Sequence, residues 1–318
     1  MRTRATAFAP ASCANVAVGF DLMGFALQAV GDHVTVSRIE EPGVVRIAAI
    51  EGLEGLPLRP EENTAGAGLL MMAKKLALPF GFEVRIDKNI PVGSGLGGSA
   101  SSAVAAVVAG NALLDTPFEK LDLLPFAAEG ERVASGALHG DNVAPALLGG
   151  LVLVRAIDPP EVIDLPVPKG VTVAVVLPKL RIDTKEARKI LSPELSRKLW
   201  IEQSAHLAGT LVALFRGDVE LLRRSFHDVV IEPQRAQLLK GFFPVKKAAL
   251  DAGAIGCSIS GSGPAVFAFA KNKDEAEKVM IAMRDAFERE GVEVFGSWTS
   301  PLDAKGAEIV DETSKVKP

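Results

Sequence analysis

Pro91–Leu114 reads PVGSGLGGSASSAVAAVVAGNALL, a run of glycine and serine that passes without a break into an apolar segment rich in Ala and Val. Few local structures accommodate such a junction. Gly93, Gly95, Gly97 and Gly98 permit φ > 0 and carry no Cβ, so the backbone there can approach a ligand closely. The apolar segment predicts a helix, and its first turn presents unpaired N–H groups and about half a positive charge. Loop and helix start together suit an anion, most often a phosphate.

Known glycine patterns test this reading. Gly93-Ser-Gly95-Leu-Gly97-Gly98 matches G-x-G-x-x-G, but a dinucleotide fold needs the glycines tight against the first strand and an acidic residue about 20 residues later, at the end of the second strand. Here Asp87–Pro91 intervenes, and Asp115 directly follows a helix. A P-loop needs Lys-Ser or Lys-Thr after its last glycine, and this chain offers Ser99-Ala100. A second cluster, SGSGP around Ser258, Ser260 and Ser262, fits no G-x-S-x-G register. A phosphate loop without its lysine remains. Phosphoryl transfer requires charge neutralisation and in-line positioning. Backbone amides supply part of that, and Ser99 with a carboxylate such as Glu129 would hold Mg²⁺.

Composition narrows the partners. The chain has 318 residues, which predicts two domains of ordinary size. It is 48% hydrophobic and 23% charged with a net charge of −4, so neither nucleic acid nor an anionic membrane is an expected partner. Pro10, Ser12 and Asn15 interrupt any signal-peptide core. Ala103–Leu114 is too short to span a bilayer of about 20 residues. Cys13 and Cys257 form no disulfide framework, and the expected location is cytoplasmic.

In chain order, residues 3–9 and 25–39 predict strands, joined by a loop over 10–21 in which Asp21 is either a cap or a group pointed into a site. Residues 43–50 predict another strand. Asn63 caps a predicted helix beginning at Thr64, and residues 82–86 form a strand leading into the glycine loop. A helix starting at Pro125 carries Glu129 and Glu131. His139, Asp141 and Asn142 then come together in a turn, where His139 alone reads as a solvated loop histidine. Proline-rich residues 158–169 mark a domain boundary. Beyond it, strands and helices alternate in an α+β pattern. The tail from Lys305 is expected to fray.

Three segments together resemble the GHMP kinases: PASCANVAVGFD (10–21), PVGSGLGGSASS (91–102) and GAIGCSISGSGP (253–264). The first most resembles the branch that phosphorylates homoserine, and HGDNVAPALLGG, TKEAR and EPQR follow in that branch's order. The resemblance implies an α+β, two-domain GHMP kinase fold. Residues 1–160 would form an N-terminal ATP-binding domain like ribosomal S5 domain 2, and residues 161–318 a ferredoxin-like C-terminal domain. It implies MgATP-dependent phosphorylation of the L-homoserine hydroxyl, in threonine biosynthesis, by a possible homodimer.

Carried onto this sequence, Asn63 would lie near the adenine. The loop Pro91, Val92, Gly93, Ser94, Gly95, Leu96, Gly97, Gly98, Ser99, Ala100, Ser101 and Ser102 would wrap the triphosphate. Ser99 and Glu129 would hold Mg²⁺. Asn15, Asp21, His139 and Asn142 would line the reacting region, and Arg188 and Arg235 would grip the substrate carboxylate. Thr184 would sit nearby, with the loop around Gly261 closing over the site. Asp21, Asn142 and Glu129 would be the catalytic groups, with Asp21 orienting substrate rather than acting as a base.

The sequence departs from the usual pattern at Gly98 and Cys13, where serines are common, and over Val16-Ala17-Val18. Rival readings are a mevalonate- or shikimate-type kinase, a catalytically dead nucleotide-binding regulator, and, more remotely, a nicotinamide-dependent dehydrogenase.

Overall fold

The computed structural model describes residues 2–136 and 138–310. The first half contains β1 (Arg4–Ala14), β2 (Met23–Ile39), β3 (Val45–Glu51), α1 (Thr64–Lys75), β4 (Gly81–Asp87), α2 (Gly98–Asn111), α3 (Leu124–Ser135), α4 (Val143–Leu148), β5 (Leu151–Ile157) and β6 (Pro160–Leu165). The second contains β7 (Thr172–Pro178), α5 (Thr184–Lys189), α6 (Arg197–Arg216), α7 (Val219–Ser225), α8 (Glu232–Arg235), α9 (Phe242–Asp251), β8 (Gly256–Ile259), β9 (Val266–Ala270), α10 (Lys273–Arg289), β10 (Val294–Pro301) and β11 (Glu308–Val310).

The first sheet runs β11-β1-β2-β4-β3, with β5 added to β2 and β6 to β5. The second runs β10-β7-β9-β8, entirely antiparallel. That order, with helices between β7 and β8 and between β9 and β10, is the ferredoxin-like arrangement.

Three expectations need correction. The strand expected over 3–9 continues to Ala14, because a bulge at Pro10/Ala11 lets a proline sit in the ladder. The division at residue 160 cuts through paired structure: β6 begins at Pro160 and is an edge strand of the first sheet, hydrogen-bonded to β5. The tail does not fray from Lys305. Ala307 is buried, and β11 pairs with β1, returning the chain to the first sheet. Residues 311–318 lie outside the described residues.

Alternation along β9 shows where the two halves meet. Val266, Ala268 and Ala270 face the α9/α10 layer, while Phe267 and Phe269 face the other way. There they meet Phe25 of β2, with ring centroids 5.2 and 5.5 Å apart in edge-to-face geometry. One apolar core thus joins the sheets, and the glycine loop and the Gly261 loop end up against each other.

Candidate active site

Helix α2 starts at Gly98, so the N–H groups of its first turn lack helical partners, as the sequence predicts. Gly97 has φ 61° and caps the helix in the left-handed region. A Cβ at Gly97 would fall 2.1 Å from Ser12 Oγ and 2.8 Å from Asn142 Oδ1, so only glycine lets these strands approach. Ser12 Oγ donates to Asn142 Oδ1 at 2.9 Å, which seats Asn142 beside the loop. At Gly95, φ 77°, a Cβ would strike the Ser260 and Gly263 carbonyls at 2.6 and 2.7 Å. Ser260 Oγ donates to the Gly95 carbonyl at 2.6 Å, and Ala265 N to the Ser94 carbonyl at 3.0 Å. The two glycine clusters are therefore one construction.

The side chains of the loop divide by direction. Ser101 and Ser102 are buried and face inward, and Ala100 is fully enclosed. Ser101 Oγ donates to the Ala9 carbonyl at 2.7 Å, and Ser102 Oγ to Asp32 Oδ2 at 2.7 Å. Both hydroxyls are thus taken up by the protein, so at Ser101 and Ser102 only the backbone is available to the triphosphate that residues 91–102 are expected to wrap. Ser99 remains on the outer side.

Beneath the helix start lies Lys88, which sequence reasoning passed over. Its Nζ donates to Asp32, to the Gly98 carbonyl and to Ser102 Oγ, the last at 2.9 Å. Asp32 Oδ1 accepts from Asn89 N (2.9 Å) and Ile90 N (3.2 Å). All three ammonium protons are committed, so this lysine supports the loop from below. A lone lysine at the end of a strand carries no motif, and only the fold brings Asp32 to it.

Glu129 needs a correction. It forms a two-pronged ion pair with Arg132 at 2.8 and 2.6 Å on the outer face of α3, and that partner holds its carboxyl below the usual carboxylate range. Two residues along the helix, Glu131 points the other way. It is buried and hydrogen-bonded with Ser99, and burial pushes its carboxyl up to about 7 against the lowering effects of Ser99 and the Lys88 charge. The carboxylate that Ser99 meets is Glu131. A one-turn helical reading separates residues 129 and 131 by about 200°, but nothing in the sequence says which faces inward.

The remaining candidates gather around a strained turn. Asn15, Val16, Ala17 and Asp21 all have positive φ, from 45° to 72°. Asn15 Nδ2 donates to the Gly261 carbonyl at 3.0 Å, and Asn15 Oδ1 accepts from Asp21 N at 3.2 Å, which fixes the turn. Gln203 of α6 braces it from behind, donating to the Val18 carbonyl at 3.3 Å while accepting from Val229 N at 3.0 Å.

Arg188, near the end of α5, binds Asp21 through two parallel hydrogen bonds of 2.9 Å each. Arg235 Nη1 donates to the Gly261 carbonyl at 2.7 Å. Both guanidinium groups lie against the Phe20 ring, 5.4 and 5.0 Å from its centroid. Burial and the nearby Arg188 charge lower Arg235 to about 10. Asp228 holds the turn before α8 that presents Arg235, accepting from Val230 N, Ile231 N and Glu232 N at 2.8–3.0 Å.

His139 Nδ1 is 3.8 Å from Asp21 Oδ2, and its Nε2 is buried with no hydrogen-bond partner among the described residues. Burial lowers the His139 pKa, with Asp21 opposing. The residue is thus part of the cluster and not a solvated loop histidine. Asp141 is buried beside the same charges, and burial followed by Asp21 and Glu131 raises it to about 7.

Thr184 Oγ1 lies 3.3 Å from Ser262 Oγ, in the Gly261 loop. Asn63 caps α1, accepting from Ala65 N and Gly66 N at 3.0 and 3.4 Å and donating to the Pro57 carbonyl. Its side chain is spent on that cap. Cys13 is buried, and burial pushes its thiol up to about 12, the environment of a structural cysteine.

The arrangement sets the open N-terminus of α2 between an acid–hydroxyl pair, Glu131 with Ser99, and a paired anion and cations, Asp21 with Arg188 and Arg235 nearby. Comparison with known proteins agrees. Family models for the GHMP kinase N-terminal and C-terminal domains match residues 63–150 and 210–289. The homoserine kinase of Xylella fastidiosa is 48% identical over 96% of this chain and 94% of its own length. That of Chloroherpeton thalassium is 42% identical over 96% and 99%. The crystal structure of homoserine kinase from Cytophaga hutchinsonii superposes with a TM-score of 0.93 at 42% identity, covering 98% of each chain. With both domain models matched and relatives at 42–48% identity over 96% of its length, the chain belongs to the homoserine kinase family of the GHMP kinases.

Proposed function

We propose that this enzyme transfers the γ-phosphoryl group of ATP to the side-chain hydroxyl of L-homoserine, with Mg²⁺, in the cytoplasm. The observation that carries the substrate is the Asp21–Arg188 pair with Arg235 beside it. An α-amino acid brings one cation and one anion. It replaces this single ion pair with two, its ammonium on Asp21 and its carboxylate on the arginines. A hydroxy acid without an ammonium would bring no cation of its own for Asp21 to meet. The charge pattern therefore favours a zwitterion over a mevalonate-type acceptor.

The residues present fit ATP and a divalent ion. The free N–H groups at the start of α2 and the left-handed glycines suit phosphate oxygens. Ser99 and Glu131 offer a hydroxyl and a carboxylate, and burial leaves Glu131 in need of a compensating cation. When bound, Mg²⁺ neutralises charge on the phosphates. Lys88 and Asp32 keep the helix start rigid. Asn142 spends its carbonyl oxygen on Ser12, so its amide N–H groups are left for substrate. Asp21 orients the substrate, since a loose transition state asks for little activation of the nucleophile. Two free, buried cysteines support the cytoplasmic reading.

A coupled ADP-release assay with homoserine, mevalonate, shikimate and galactose tests this. Homoserine alone is expected to be turned over efficiently. Turnover of another acceptor instead would overturn the substrate, and no turnover with any would favour a nucleotide-binding regulator.

A further inference from the structure

Phe20 lies in the substrate turn between Gly19 and Asp21 and is half-buried. The two arginines meet at its ring: the Cζ atoms of Arg188, from α5, and Arg235, from α8, stand 5.4 and 5.0 Å from its centroid. The guanidinium groups repel each other, and the Arg188 charge is one of the causes that lower Arg235. Asp21 answers Arg188 with both of its oxygens. Arg235 is met by the Gly261 carbonyl at Nη1 and by the ring, and its buried Nε has no hydrogen-bond partner among the described residues. A neutral carbonyl and an aromatic face thus hold the second cation beside the first.

An aromatic face carries partial negative charge and attracts a guanidinium group, most strongly where water is excluded, as at the buried Arg235. A leucine in its place would fill space and attract nothing. A second carboxylate would attract more, but it would pair with the arginines and compete with a ligand's own carboxylate. Of the three, only the ring draws both cations in without neutralising them.

The backbone adds a spacing. Asp21 directly follows the ring and is fixed by the hydrogen bond that its N–H donates to Asn15 Oδ1 at 3.2 Å, while Gln203 braces the turn at the Val18 carbonyl. One turn therefore carries an anion for an ammonium group and, on the adjacent residue, the platform for the cations that meet a carboxylate. In an α-amino acid those two groups share a single carbon, and neighbouring residues supply a separation of that scale. As substrate enters, Arg188 exchanges Asp21 for the substrate carboxylate, and the ring keeps it beside Arg235.

We propose that Phe20 is a positioning residue for the substrate carboxylate, its ring holding Arg188 and Arg235 side by side next to Asp21 and leaving their charge for the ligand. The proposal rests on the reading of the two arginines as the carboxylate site and adds the residue that sets them.

Kinetics of Phe20→Leu and Phe20→Tyr test it, with two acceptors: homoserine and 3-aminopropan-1-ol, which is homoserine without its carboxylate. Calorimetric titration with ATP serves as the control for an intact fold. Phe20→Leu is expected to raise the homoserine KM by about tenfold with kcat within about twofold of wild type. Its kcat/KM for 3-aminopropan-1-ol and its ATP affinity are expected to stay within about twofold of wild type, because neither involves the acceptor carboxylate. Phe20→Tyr keeps the ring and is expected to behave as wild type toward both acceptors. A Phe20→Leu enzyme that loses the same factor for both acceptors, or loses nothing for homoserine, overturns the proposal, as does a Phe20→Tyr enzyme equally impaired. A wild type that turns over the two acceptors equally well would instead overturn the carboxylate reading, and the proposal with it.

Discussion

Two buried carboxylates flank the start of α2, and they are built differently. Asp32, beneath it, accepts two backbone N–H groups, the Lys88 ammonium and the Ser102 hydroxyl. Glu131, beside the outer face, is met by Ser99 and feels the Lys88 charge at a distance, and burial still dominates it. A carboxylate whose lone pairs are all answered by the protein serves to hold structure. One whose burial outweighs its partners carries a raised pKa, which is what the proposed cation site asks of Glu131. Burial alone does not separate a scaffold from a site. The difference lies in how completely the protein compensates the charge.

The strongest way to break that contrast is to unbalance the inner pair. Lys88→Met leaves Asp32 buried without its cation and is expected to cost about 3–5 kcal/mol of stability, measured by denaturant unfolding. A loss below about 1 kcal/mol would mean that the pair is not the support described here. On the outer side, Glu131→Gln is expected to leave stability nearly intact while lowering kcat by about 10²-fold or more, equivalent to about 2.7 kcal/mol. Glu129→Gln is the control and is expected to change kcat less than about twofold, since its partner is Arg132 on the surface. If the two glutamates exchanged these effects, the assignment of Glu131 would fail.

Asp21→Asn keeps the shape of the substrate turn but removes the charge that answers Arg188. Homoserine KM is expected to rise by about 10–100-fold, the value of one charge-assisted hydrogen bond. Unchanged kinetics would remove Asp21 from the site. A pH dependence concerns Asp141, which like Glu131 is buried with its carboxyl raised. Its folded pKa, about 7, lies above its ordinary value of 3.8. The stability it contributes is therefore complete below about pH 4 and is lost as pH rises toward 7. Asp141→Asn is expected to flatten that decline in melts of the ligand-free enzyme, and an unaltered slope would show that burial of Asp141 is compensated after all.

Much of the candidate site is legible in the sequence. Cradle, substrate turn and second glycine cluster each carry motifs, and Asn15, Asp21, His139, Arg188 and Arg235 do converge. Glu129 and Glu131 were not separable, because both lie on one amphipathic helix and the choice depends on which face α2 covers. Ser101 and Ser102 looked like ligand groups because composition does not tell which side of a helix faces the core. Lys88 had no signal, since its partner Asp32 is 56 residues away. The strand β11 was hidden because three residues pair only when an edge is waiting for them.

The sequence by itself determined the local conformations and the list of chemical groups: where glycine must take φ > 0, where a helix opens to an anion, and which acids and arginines are available. Those are short-range matters of sterics and charge. Only the tertiary structure decided which of these groups are answered by the protein and which are left for a ligand. Compensation of a buried charge is a sum over neighbours from distant parts of the chain, and that sum exists only once the two sheets have packed.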